Sequence, residues 1–129
     1  MSTKRATAQS GSPYESTVGF SRAVRHGKHI LVSGTAPIWP DGHVNPDPAS
    51  QTRRAWEIAL DALKELGGEP KDVVRTRHYI TSTDIVDDVA RVHGEVFGDI
   101  RPASTMVVVA GLVDPRWKLE VEMDAIIDG

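Results

Sequence analysis

At 129 residues, with 40% hydrophobic and 26% charged side chains, this chain has the composition of one globular domain large enough for its own core. Fifteen Lys and Arg against eighteen Asp and Glu leave a net charge of -3, which gives no electrostatic reason to expect nucleic acid as a partner. The lack of cysteine excludes disulfides and thiolate chemistry; with no run near the ~18 apolar residues of a membrane span and no apolar signal segment, no membrane partner and a cytoplasmic location are expected.

Residues 1–12 are small and polar and predict a disordered tail, leaving 13–129 as the domain. Phe20–Val24 and His29–Ser33 predict two strands around a turn at His26-Gly27-Lys28. Prolines and glycine from Gly34 to Pro46 predict a loop, with room for a short strand at Ala36–Ile38. Asp47-Pro48 is a helix start: the Asp side chain can accept from free N–H groups, and Pro is tolerated in the first turn. Trp56, Ala59, Leu60, Leu63 and Leu66 form one apolar stripe, ended by Gly67-Gly68 and Pro70.

Val73–Thr81 reads as a strand with Val74, Thr76, His78 and Ile80 on one face and Arg75, Arg77 and Tyr79 on the other. Asp84 is expected to cap a second helix whose buried stripe is Ile85, Val89, Val92, Val96 and Phe97. Strands at Thr105–Ala110 and Lys118–Ile127 follow, joined by a turn at Asp114-Pro115. This order predicts an α+β fold, one sheet with two helices packed on one face.

Two helices cover one sheet face only. In the last strand Leu119, Val121 and Met123 suit the helix layer, while Glu120, Glu122 and Asp124 point away. Thr105–Ala110 is apolar on both sides and reads as a strand covered on both faces. One domain with two helices lacks that second cover, so an oligomer with inward-facing sheets is expected. The five histidines show no metal-ligand spacing, and no phosphate loop or nucleophile elbow is present; no metal and no cofactor are expected.

Several short motifs, in order and spacing, resemble the Rid/YjgF family of reactive-intermediate imine/enamine deaminases. They are Leu31–Ile38, Gln51-Thr52-Arg53, Leu66-Gly67-Gly68, Asp72–Arg75, Val96-Phe97-Gly98, Arg101-Pro102-Ala103 and Glu120-Val121-Glu122, within a likeness running from Phe20 to Ile127. The resemblance implies a chorismate-mutase-like single domain with a mixed six-stranded sheet. It also implies a homotrimer with a central β-barrel and small-molecule sites between subunits.

By the same resemblance, Phe20 takes an aromatic position at the site, without a tyrosine's hydroxyl. Ser33 and Gly34 contact ligand through hydroxyl and backbone, and Glu120 positions the attacking water. Ala90 stands where the archetype has an asparagine. Ser104 stands where deaminating members hold the substrate carboxylate with an arginine. This departure predicts a protein that is not an archetypal 2-aminoacrylate deaminase. Arg77, on the same sheet face as Glu120, has two open uses: a structural ion pair across the trimer barrel, or a displaced anion anchor. Two functions stay open with it. One is hydrolysis of an imine, enamine or related metabolite by Glu120; the other is a non-catalytic small-molecule-binding or structural trimer. RNA cleavage, ascribed to some relatives, would need a basic surface that the composition does not provide.

Overall fold

The computed structural model describes residues 5–128. Six strands form one mixed sheet. In spatial order they are β1 (Arg5–Ala8), β2 (Ala23–His26), β3 (His29–Thr35), β6 (Leu119–Ile126), β4 (Val73–Ile80) and β5 (Ala103–Val108). The pair β4–β5 is parallel and is joined through α2 (Val86–Phe97), as a parallel connection requires a crossover. The other pairs are antiparallel. With α1 (Pro48–Glu65), this is the α+β sheet with two main helices that the sequence predicts.

Helix α1 starts as its sequence dictates: the Asp47 carboxylate accepts from the Ser50 N–H at 2.9 Å. It stops at Gly67, whose φ of 90° favours glycine. Helix α2 starts later than Asp84 suggests. Ser82, in extended backbone, accepts from the Asp84 N–H at 3.0 Å and caps a short 3-10 turn, Thr83–Ile85. Asp84 lies inside that turn, and Ile85 precedes the helix without a side-chain cap.

The core lies between the helices and one sheet face. Trp56 and Leu63 of α1, Val89, Val92 and Phe97 of α2, and Ile30, Leu119, Val121 and Met123 of the sheet are each at most 1% exposed. The alternation expected for β6 holds along its length, with Glu120, Glu122 and Asp124 half-buried on the opposite face.

Three expectations are corrected. Arg5–Ala8 is strand rather than tail: it pairs with β2, and Ala8 reaches the core at 1% exposure. Backbone pairing holds it, which side-chain polarity does not reveal; residues 1–4 of the expected tail lie outside the described residues. Ala36–Ile38 forms no strand. Its Ile38 N–H turns back to the Ala36 carbonyl at 2.9 Å, and the Ile38 carbonyl accepts from Arg54 Nε at 3.0 Å. Val74 leaves the alternation of β4 because the register shifts between Val73 and Arg75, and it is 43% exposed. The strand expected at Thr105–Ala110 spans Ala103–Val108 and is the sheet edge of the single chain, with Val107 and Val108 42% and 52% exposed, as expected of a strand whose second cover this domain lacks. No described helix is long and apolar enough to cross a membrane.

Candidate functional site

A bulge builds the site. Between the pairs Val32–Met123 and Thr35–Val121, two residues of β3, Ser33 and Gly34, stand opposite the single Glu122 of β6. Such an insertion bends a strand and re-aims its neighbours. Here it brings the Gly34 backbone against Glu120. A Cβ on Gly34 would sit 2.6 Å from Glu120 Oε2, so only glycine leaves the carboxyl where it is. Ser33 is turned aside, its hydroxyl donating to the Ser21 carbonyl at 2.7 Å.

Glu120 lies where two cavities meet. One, of about 250 Å³, has apolar walls from Tyr14, Phe20, Ile38, Val113 and Trp117, with Ser10, Ser12, Thr35, Arg22 and Glu120 among its polar groups and Gly34 beside them. The other, of about 270 Å³, lies on the outer sheet face and shares Gly34 and Glu120 with Tyr79, Leu112 and Glu122. Burial raises the Glu120 pKa above the usual 4.5; the charge of Arg22 opposes the rise and that of Glu122 adds to it. A carboxyl held this way keeps its proton closer to neutrality and can both give and take one.

Arg22 is 5% exposed, and its burial is offset by partners. Nε donates to Glu15 at 3.2 Å, and Nη1 donates to the Gly34 carbonyl and to Thr35 Oγ1 at 3.2 Å. Its guanidinium carbon lies 5.2 Å from the centre of the Phe20 ring. Glu15, in a single π-turn (Glu15–Gly19), also accepts from the Ser10 N–H at 3.0 Å and from the Ser10 hydroxyl. Burial pushes the Glu15 carboxyl up, but the bonds from Ser10 and Arg22 outweigh it and hold its pKa below the ordinary value.

Of the residues singled out in the sequence, Phe20, Gly34 and Glu120 line one cavity. Arg77 does not reach it. Its Nη1 lies 3.5 Å from Glu122 and 3.7 Å from Asp124 on the outer face, where Tyr79 also donates to Glu122. Ser104 pairs with Thr76, which pairs with Met123, so it stands on the helix side of the sheet, opposite Glu120. Its hydroxyl accepts from Thr76 at 2.8 Å, and Thr76 Oγ1 is 2.8 Å from His93 Nε2. Among the described residues no group of three His, Asp or Glu side chains is placed to hold a metal ion.

Sequence reasoning picked out none of Glu15, Arg22 and Trp117 as site residues. Glu15 and Arg22 are seven positions apart but share no helix or strand: Glu15 opens the π-turn and Arg22 lies between that turn and β2.

Gly34→Ala is expected to keep the fold, because the atom it meets is the end of a flexible side chain, and to displace Glu120. Ligand binding or turnover should fall while the urea midpoint moves little. Unchanged binding and turnover would remove Gly34 from the site.

Residues 11–127 match the family model described as Endoribonuclease L-PSP. An uncharacterised protein of Streptomyces coelicolor is 40% identical over 118 residues, 91% of this chain and 88% of that protein. A RutC family protein of Pyrococcus abyssi is 34% identical over 109 residues, 83% of this chain and 84% of that one. The crystal structure of a member of the YjgF/YER057c/UK114 family from Mycobacterium tuberculosis superposes with a TM-score of 0.89 at 41% identity, covering 96% of this chain and 100% of that chain.

Proposed function

Since this chain belongs to the YjgF/Rid family, we propose that it hydrolyses an imine or enamine in the cleft at Glu120, working as a homotrimer with sites between subunits. The observation that carries this reading is the Glu120 carboxyl. Its pKa is raised by burial, it stands at the junction of two cavities, and it is packed against Gly34, which has no side chain. Hydrolysis of a C=N bond needs a proton on nitrogen and water delivered to carbon. A carboxyl that is easily protonated supplies the first and, once ionised, activates the second. The direct test is ammonia release from imines generated in situ, compared with the uncatalysed rate. No acceleration for any imine or enamine would overturn the reading.

Two features support assembly. Edge strand β5 exposes Val107 and Val108. Ser104 and Glu120 lie on opposite sheet faces, so they can serve one ligand only if a second copy brings its own β5 to the cleft. Light scattering at micromolar concentration is expected to give three times the 14.0 kDa chain mass. A monomer would end the trimer proposal. Arg77, between Glu122 and Asp124, fits the structural use better than the anion anchor. The family model's description names an endoribonuclease, but Arg75 and Arg77 face Glu120, Glu122 and Asp124 on this sheet surface, a poor match for a phosphate backbone.

Ser104→Arg is expected to raise turnover of 2-iminopropionate. A bidentate Arg–carboxylate contact is stronger than a hydroxyl's single bond, and the gain should reach on the order of tenfold to a hundredfold. The exposed edge position leaves room for the longer side chain, at the loss of the bond from Thr76. If the rate does not rise, position 104 is not where a substrate carboxylate sits.

A further inference from the structure

We propose that the C=N compound taken by this cleft carries no carboxylate: it is the neutral or protonated imine of an aldehyde bearing an aryl group. The inference rests on the hydrolytic reading above and names its substrate class.

The part of the cleft that this chain supplies offers an anion no free fork. Carboxylate recognition by arginine uses two parallel N–H groups on one edge of the guanidinium. Arg22 is the arginine lining the cleft, and both of its edges are already engaged, Nε by Glu15 and Nη1 by Gly34 and Thr35. Its charge is matched by Glu15 at 3.2 Å. Glu120 adds a second acidic group, and Glu122 lies beyond it in the adjoining cavity. A ligand carboxylate would therefore meet Glu120 with no unspent cation from this chain, whereas an iminium nitrogen would meet a carboxylate partner.

The apolar part of the cleft fits an aryl group. Tyr14 and Trp117 meet edge to face with centroids 5.9 Å apart, and Phe20 lines the same cavity. Val18 and Val113, which also line it, are 69% and 73% exposed. Apolar walls of this kind stabilise a ligand by removing its apolar surface from water.

The step balances without a cofactor. Water adds to the carbon of R–CH=NH2+, Glu120 takes the proton that the water loses, and a carbinolamine forms. Glu120 returns that proton to nitrogen, the C–N bond breaks as ammonia leaves, Glu120 takes the hydroxyl proton as the C=O bond forms and passes it to the ammonia, and the products are R–CHO and ammonium. No oxidation state changes. The two-electron oxidation of a primary arylalkyl amine is a reaction that supplies such a substrate.

The test compares ligands that differ in one group. Phenylacetamide and phenylacetate are titrated against the intact protein at pH 7 by NMR. The amide is expected to bind at least about tenfold tighter. In parallel, the imine released by monoamine oxidase from 2-phenylethylamine is compared with the imine released by amino-acid oxidase from phenylalanine. The first should be hydrolysed with an acceleration at least about tenfold greater. Val113→Asp, at an exposed position, should weaken amide binding without unfolding the protein.

Phenylacetate binding as tightly as the amide, binding of neither, or equal acceleration of both imines would overturn the substrate class. Equal acceleration would leave the hydrolytic reading standing. Amide preference with no acceleration of either imine would keep the ligand class and remove the hydrolysis.

Discussion

Glu120→Gln is expected to lower imine hydrolysis by about a hundredfold to ten-thousandfold, the usual range for losing a general acid–base group. Glutamine keeps the size of the side chain and its contact with Gly34, so the cleft should stay open and ligand affinity should change little. What is lost is a group that both donates and accepts a proton. The folding consequence has a definite sign. Burial raises the Glu120 pKa above 4.5, so the folded state holds this proton more tightly than the unfolded state does. As pH rises from 4.5 through the raised value, the unfolded chain releases its proton first, and stability falls. Glutamine does not titrate and removes that loss. The variant should therefore be as stable as the parent at neutral pH, or more so, while inactive. Urea denaturation at several pH values, together with ammonia release, reads both effects. Activity within about twofold of the parent would show that Glu120 is not the acid–base group.

What the sequence revealed depended on how locally each feature is encoded. The period-two pattern of Leu119–Asp124 places Glu120 on the outer face without any knowledge of neighbours, and the structure has it there. The start of α1 was readable because Asp47 and Pro48 are adjacent and together mark a helix N-terminus, and Asp47 caps it. Features that depend on a partner were not readable. Strand β1 has no pattern of its own and exists because β2 offers backbone partners. The bulge at Ser33-Gly34 is a mismatch between two strands far apart in the chain, and neither sequence alone shows it. That mismatch gives Gly34 its contact with Glu120 and turns the Ser33 hydroxyl towards Ser21. The buried Glu15–Arg22 pair was invisible for a similar reason: composition shows charges, and only the fold shows which of them neutralise each other. Arg77 was correctly set on a strand, whereas Ser104, expected just before a strand starting at Thr105, lies inside β5. Their separation from the Glu120 cavity follows from pairing and register, Ser104 through Thr76 and Arg77 through Glu122.

Acid should destabilise this protein through His78. Its ring is 1% exposed, with Trp56 and His93 edge-on at centroid distances of 5.4 and 5.0 Å. Nδ1 lies 3.4 Å from the Thr105 carbonyl, and Nε2 has no partner among the described residues. Burial, and then the neighbouring His93, lower the His78 pKa from 6.5 to about 4; the Thr105 carbonyl opposes the shift. Between those values the unfolded state binds a proton that the folded state refuses. Stability is therefore complete above about pH 6.5 and is lost as pH falls towards 4. At 1.36 kcal/mol per pH unit, the loss is about 3 kcal/mol, a large part of the stability of a domain this size. His93, also lowered by burial, adds in the same direction. The carboxylates held low, Glu15, Asp47 and Asp114, contribute their losses below their ordinary values, at the acid end of this window or beyond it. Glu120 has the opposite sign, which makes its glutamine variant the cleaner background. His78→Phe keeps the ring volume and removes both the titration and the unpaired nitrogen, so stability at pH 7 should stay within about 1.5 kcal/mol of the parent. The drop between pH 6.5 and 4 should shrink to the share left by His93. Tryptophan fluorescence in urea at four or five pH values is the measurement, with Trp56 beside the titrating ring. An undiminished slope in His78→Phe would place the acid sensitivity outside this cluster.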